Sequence, residues 1–145
     1  MNYMQEAYQE AIKAGLEGEI PVGAVIVYEG QIIARGRNRK EQKHDITSHA
    51  EIEAIKEAGR LLQRTNLHGC ILYCTLEPCP MCLSAIIQSN ISKLYFGAYD
   101  KDAGAVESYM KINEFPGGSR IRTVGGVMEE QASVLIRDFF KSLRL

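Results

Sequence analysis

Residues 70–82 read CILYCTLEPCPMC, and their reading decides the fold class. Cys70 to Thr75 is an apolar, β-prone run of strand length, and Pro80 sits where proline is favoured, in the first turn of a helix. A buried strand therefore feeds a helix, with Cys79 and Cys82 at the junction. Leu83, Ile86 and Ile87 carry that helix to about Gln88, and Lys93 to Ala98 is a second strand of the same kind. Upstream, Ser48 opens a helix in which Ile52, Ile55 and Ala58 keep helical spacing until Gly59. Before it, Val22 to Tyr28 and Gln31 to Ala34 flank Glu29-Gly30 and read as a hairpin. At the start of the chain Met4, Tyr8, Ile12 and Leu16 recur every four residues, the stripe of an amphipathic helix. At its end, Ile121 to Val124 reads as a short strand. Glu129 to Leu143 reads as a terminal helix with Val134, Leu135, Phe139 and Leu143 facing inward. Strands alternating with helices imply a three-layer α/β/α sandwich.

The bulk properties set limits on function. A chain of 145 residues, 46% hydrophobic and 24% charged, can bury one core, and residues 1–145 are read as a single domain. No apolar run approaches the ~18 residues of a membrane span, and the first twenty residues lack a signal peptide's hydrophobic stretch, so a soluble, cytoplasmic protein is expected. In that setting the four cysteines point to metal or redox chemistry before disulfides. Seventeen Lys and Arg against eighteen Asp and Glu give a net charge of −1, which excludes a global basic field for nucleic acid. Any polynucleotide must be gripped locally.

Cys79-Pro80-Met81-Cys82 is a Cys-x-x-Cys turn that can present two sulfurs to one tetrahedral ion, and the helix dipole favours their thiolates. A structural zinc asks for a second Cys or His pair, whereas the only suitable partner is His49. Three protein ligands leave one coordination position open, and zinc with an open position lowers the pKa of water there to about 7. Glu51, two residues beyond His49, is then placed to move protons. Other readings stand beside this one. Ser48-His49-Ala50-Glu51 fits a capping box, with Ser at the N-cap and Glu at N3. His49 alone could be a core histidine. Cys74, Cys79 and Cys82 match a C-x4-C-x2-C iron–sulfur spacing that lacks its later fourth cysteine, which keeps a non-enzymatic zinc or iron–sulfur binding module open. Cys70 and Cys74 share a strand face as small buried thiols. His44 and His68 have no motif partners and are read as surface or loop residues.

The conjunction of His-x-Glu and Pro-Cys-x-x-Cys, each opening a helix, is more specific than either part. On these residues the chain resembles the cytidine deaminase superfamily, zinc enzymes that act on nucleobases. The stretches Pro21 to Val25, Asn38-Arg39, His49 to Ile52, Thr75 to Cys82, Phe96 to Ala98 and Asp138 to Phe140 look most like its bacterial tRNA-specific adenosine deaminases. The resemblance implies a cytidine deaminase-like α/β/α fold with a mixed central five-stranded sheet, and one Zn2+ per chain on His49, Cys79 and Cys82. It implies Glu51 as the catalytic proton carrier and hydrolytic removal of an exocyclic amino group, with the tRNA anticodon wobble adenosine as substrate. It further implies substrate contacts from Asn38, the Ala50 backbone, Val22 and Asp100, and a homodimer. From the residues themselves, Asn38 is also a turn residue after a strand, and Asp100 an exposed turn acid. Ala7-Tyr8, Glu10-Ala11 and Ala58 to Leu61 equally resemble free-base cytosine deaminases, and guanine deaminases share the Pro-Cys-Pro-Met-Cys wording. A free nucleobase is therefore the alternative substrate.

Overall fold

The computed structural model describes residues 2–143. Its helices are α1 (Tyr3–Leu16), α2 (Lys40–Lys43), α3 (Ala50–Leu62), α4 (Pro80–Gln88) and α5 (Glu129–Leu143). Its strands are β1 (Gly23–Tyr28), β2 (Gln31–Arg37), β3 (Ile71–Leu76), β4 (Lys93–Ala98) and β5 (Arg122–Val124). They form one sheet in the order β2-β1-β3-β4-β5. β1 is antiparallel to both neighbours, while β3, β4 and β5 run parallel, so the sheet is mixed as expected. The β1–β2 turn places Glu29 at φ 50° and Gly30 at φ 77°. Positive φ at both central residues is the twist-matched geometry of a two-residue hairpin.

Helices α1 and α5 cover one face of the sheet and α3 and α4 the other, giving the three layers. On the α3 side, Ala24, Ile26, Leu72, Cys74 and Phe96 meet Ala50, Ala54, Leu83 and Ile86, all buried. On the α1 side, Met4, Ala7 and Val25 form a smaller cluster. The small side chains of both helix faces let backbones approach closely. A Cβ at Gly36 of β2 would lie 2.7 Å from the Ala54 nitrogen of α3 and closer still to the Ala50 carbonyl. That closeness fixes the height of the first turn of α3 above the sheet.

Several local expectations shift. β2 continues past Ala34 to Arg37, and α3 runs through Gly59 to Leu62. Gly59 contributes the carbonyl that the Gln63 and Arg64 amides reach, so it stands inside the final turn instead of after it. The short α2 had no periodic signal. Only Ala132 of α5 is buried, and Leu143, expected inward, is 64% exposed. α5 packs on β4 and β3, with a few contacts to α1, and its last turns run past that support. No helix among the described residues is long and apolar enough to cross a membrane.

Candidate active site

Two helix starts converge on the same point. α3 is preceded by His49 as its N-cap, with φ −79° and ψ 158°, and α4 by Cys79, with φ −75° and ψ 172°. Both have the extended backbone usual at an N-cap. Neither makes a side-chain cap, so both stay available for other work. Cys82 lies in the first turn of α4 and is buried. The structure brings His49 Nδ1 to 3.3 Å from Cys82 Sγ and 3.7 Å from Cys79 Sγ. All three candidate ligand atoms lie within 4.8 Å of one another.

This donor set fits a tetrahedral zinc. With Zn–S near 2.3 Å and Zn–N near 2.0 Å, the N-to-S edge of a tetrahedron is roughly 3.5 Å. The two observed separations bracket that value. Electrostatics agree: the Cys79 thiol is pushed down to about 4, chiefly by the hydrogen bond from Cys82, with His49 adding to it against burial. The same bond, with burial and the nearby Glu51 charge, pushes Cys82 up. Two sulfurs this close resist ionising together unless a cation lies between them. His49 is raised, first by its bond to Cys79.

The capping-box alternative for Glu51 does not form. Asp45 takes the Thr47 amide and hydroxyl on Oδ1 at 2.9 and 2.7 Å, and the Ser48 hydroxyl on Oδ2 at 3.3 Å. Ser48 is thereby held in the preceding turn. The helix starts one residue later, and Glu51 falls at N2 instead of N3. Glu51 is 4% exposed, and burial is the main cause that pushes its carboxyl up. Cys74 is fully buried in β3, and burial followed by the Glu51 charge pushes its thiol well up, in line with an inert thiol. Cys70 is buried as well, just before β3. All four cysteines are free. His44 closes α2 in the left-handed region, and His68 is exposed.

His49, Glu51 and Cys79 line a cavity of 200 Å³. Val22, Asn38, Ala50 and Asp100 line the same cavity, so the sequence-derived residues gather in one place. Asn38 is 7% exposed; its Oδ1 accepts the Lys40 amide at 3.3 Å and its Nδ2 donates to the Ile20 carbonyl at 3.4 Å. The turn reading of Asn38 and its place at the cavity thus coexist. Asp100 Oδ1 is committed to the amides of Asp102 and Ala103. Ile20, Lys40, Leu76, Glu77 and Ala103 complete the lining; Leu76 and Glu77 fall inside the stretch Thr75 to Cys82 that carries the resemblance, but none of the five is assigned a role in the site from sequence. No spacing marks them for one.

Comparison with known proteins agrees with this geometry. A family model of the cytidine and deoxycytidylate deaminase zinc-binding region matches residues 1–98. The tRNA-specific adenosine deaminase of Bacillus subtilis is 42% identical over 143 residues, covering 98% of this chain and 89% of that one. The protein of the same name from Aquifex aeolicus is 46% identical over 143 residues, covering 98% and 94%. A solved structure from work on A-to-I editing by tRNA:A34 deaminases at the wobble position superposes with a TM-score of 0.87 at 40% identity, covering 92% of this chain and 97% of that one. The paired helix starts, the His/Cys/Cys cluster and the likeness along the chain lead to one conclusion: this chain is a deaminase that belongs to the cytidine and deoxycytidylate deaminase family.

Proposed function

We propose that the chain is a zinc-dependent hydrolytic deaminase that converts adenosine to inosine at the anticodon wobble position of tRNA. The observation that carries the substrate is the length of the likeness: relatives named for this activity match 98% of the chain, through α5. The cavity supports it. At 200 Å³ it admits one base and little else, so the rest of any polynucleotide lies outside. Beyond Asp100 and Ala103 it meets a wider groove of 550 Å³ where Tyr99 and Phe140 stand with Lys101 and Arg137. Aromatic faces beside cations suit flanking single-stranded nucleotides.

His49, Cys79 and Cys82 would hold the zinc, whose charge would make water acidic enough to attack near neutral pH. Glu51 takes a first proton from the attacking water and gives it to the ring nitrogen, then takes the second proton from the hydroxyl so formed and gives it to the departing amine, which leaves as ammonia. Water adds across the carbon–nitrogen bond and nothing is oxidised. Burial of Glu51 favours a group that both accepts and returns a proton. Asn38 offers its second amide N–H to the base or its sugar, and Asp100 offers Oδ2. The Ala50 backbone meets the base, and Val22 packs against its face. One such domain spans residues 1–145, acts in the cytoplasm, and works as a homodimer with one zinc per chain.

The test is ammonia release from purified enzyme given, separately, anticodon stem-loop RNA, cytosine, guanine and adenine. Turnover of the RNA adenosine alone supports the reading. Turnover of a free base with RNA untouched moves the substrate to the free-base class, and no turnover with iron and acid-labile sulfide bound removes the enzyme reading.

A further inference from the structure

Two glutamates outside the proton-transfer machinery are buried as deeply as the core. Glu77 is 1% exposed and Glu19 is 2% exposed. Buried carboxylates persist only when paired or fully hydrogen-bonded. Among the described residues neither forms an ion pair. Both are instead surrounded by donors, nearly all of them backbone amides.

Glu77, just beyond β3, holds the segment after β4. Its Oε2 accepts the N–H groups of Val106, Glu107 and Ser108 at 3.0, 2.7 and 3.0 Å. Its Oε1 accepts the Asp100 N–H at 3.0 Å and the Ser108 hydroxyl at 2.5 Å. These bonds outweigh the burial that pushes the carboxyl up, and hold it below its ordinary range. The segment wraps so tightly that a Cβ at Gly104 would collide with the Glu77 carboxyl and come within 2.5 Å of the Asp100 carbonyl. Glu19 does the same work on the other side. Its Oε1 accepts the Glu41 N–H at 3.1 Å and its Oε2 the Gln42 N–H at 2.8 Å, fixing the start of α2.

The two segments so held are two walls of the base cavity. Glu19 anchors the turn that carries Asn38 and Lys40, and Glu77 anchors the turn that carries Asp100 and Ala103. We propose that Glu19 and Glu77 are a pair of positioning residues, each setting one wall of the base cavity by gripping backbone amides, and that substrate affinity depends on both. The inference rests on the deaminase reading of the cavity and not on which base it takes.

A carboxylate is required because every partner donates. In Glu77→Gln the side-chain oxygen stays with the three amides on Oε2, and the new NH2 faces the Asp100 N–H. The Ser108 hydroxyl can rotate to accept, but the Asp100 N–H cannot, so the break falls at the cavity wall. In Glu19→Gln either Glu41 or Gln42 loses its acceptor.

The experiment takes Glu19→Gln, Glu77→Gln and Ser108→Ala in the full chain. It measures zinc content, amide hydrogen exchange by NMR, and steady-state kinetics on whichever RNA or free base the wild type turns over. Expected are zinc near wild type and faster exchange at residues 41–42 in the first variant and at residue 100 in the second. KM should rise about tenfold in each, the weight of one charge-assisted hydrogen bond, with kcat within about threefold. Ser108→Ala keeps the carboxylate and four of its five bonds, so it folds even where Glu77→Gln does not, and its KM should rise less in the same direction. Unchanged exchange overturns the clasp, and so does faster exchange with unchanged KM. A wild type that turns over none of the substrates overturns the functional reading instead, and the exchange data then decide the clasp alone.

Discussion

Gly36→Ala reaches the candidate metal site without touching it. The new Cβ would lie 2.7 Å from the Ala54 nitrogen and 3.1 Å from the Glu53 Cβ, with the Ala50 carbonyl nearer still. Ordinary contact begins at 3.4 Å, so α3 and β2 must separate by at least 0.7 Å at Ala54 and further at Ala50. β2 is an edge strand held by β1 alone, so it takes part of the strain. The rest falls on the first turn of α3, where His49 and Glu51 sit. A displacement of about half an ångström is the tolerance of a preorganised site, and 1 Å costs about a hundredfold in rate. kcat/KM should therefore fall by about 10- to 100-fold. Overpacking of this kind costs about 1–3 kcal/mol, which for a domain of this size lowers Tm by roughly 3–10 °C. Zinc affinity by chelator competition, ammonia release and thermal melting together give the answer. A lowered Tm with wild-type zinc affinity and turnover would show that β2 absorbs all the strain, and would refute the coupling of α3 height to the site.

Other perturbations probe separate parts of the structure. Cys82→Ala removes a buried sulfur from the cluster and should lose both metal and activity; metal analysis showing a full zinc complement would contradict the ligand assignment. Glu17 is held down at about 2, first by its hydrogen bond from Arg37 and then by Gln42. Its folded value lies below the ordinary value of about 4.3, so its contribution is present above that pH and is lost as pH falls toward 2. Glu17→Gln should flatten the fall of Tm between about pH 5 and pH 2, and an identical profile would remove the pair from the account. The family resemblance implies a homodimer, and sedimentation should give a dimer at micromolar concentration. A fully active monomer there rules it out.

Much of this fold was legible because its signals are local. The hairpin came from Glu29-Gly30, and the two helix starts from His49 to Glu51 and Cys79 to Cys82, each a short motif whose spacing is also its geometry. The one-residue error at α3 came from competition between caps. Ser48 looks like an N-cap until Asp45, three residues earlier, takes its hydroxyl. The anchoring work of Glu19 and Glu77 was not legible because they bond amides 22 to 31 residues away, where no periodicity reaches, although Glu77 itself lies in the stretch Thr75 to Cys82. The apolar residues of α5 kept helical spacing, but spacing does not say how far the sheet extends beneath them. Leu143 lies beyond it.

The central claim is that Glu51 carries the protons, and Glu51→Gln tests it most directly, with turnover and zinc content measured on the same sample. Glutamine keeps the size of the side chain in its buried place, leaves His49, Cys79 and Cys82 untouched, and cannot exchange protons. Zinc should remain near one per chain. Because one carboxyl serves every transfer, turnover should drop to the upper end of the range for general acid–base catalysis, about 10⁴-fold, or beyond. A zinc-loaded Glu51→Gln enzyme that keeps more than about a tenth of wild-type turnover contradicts the proton-carrier role.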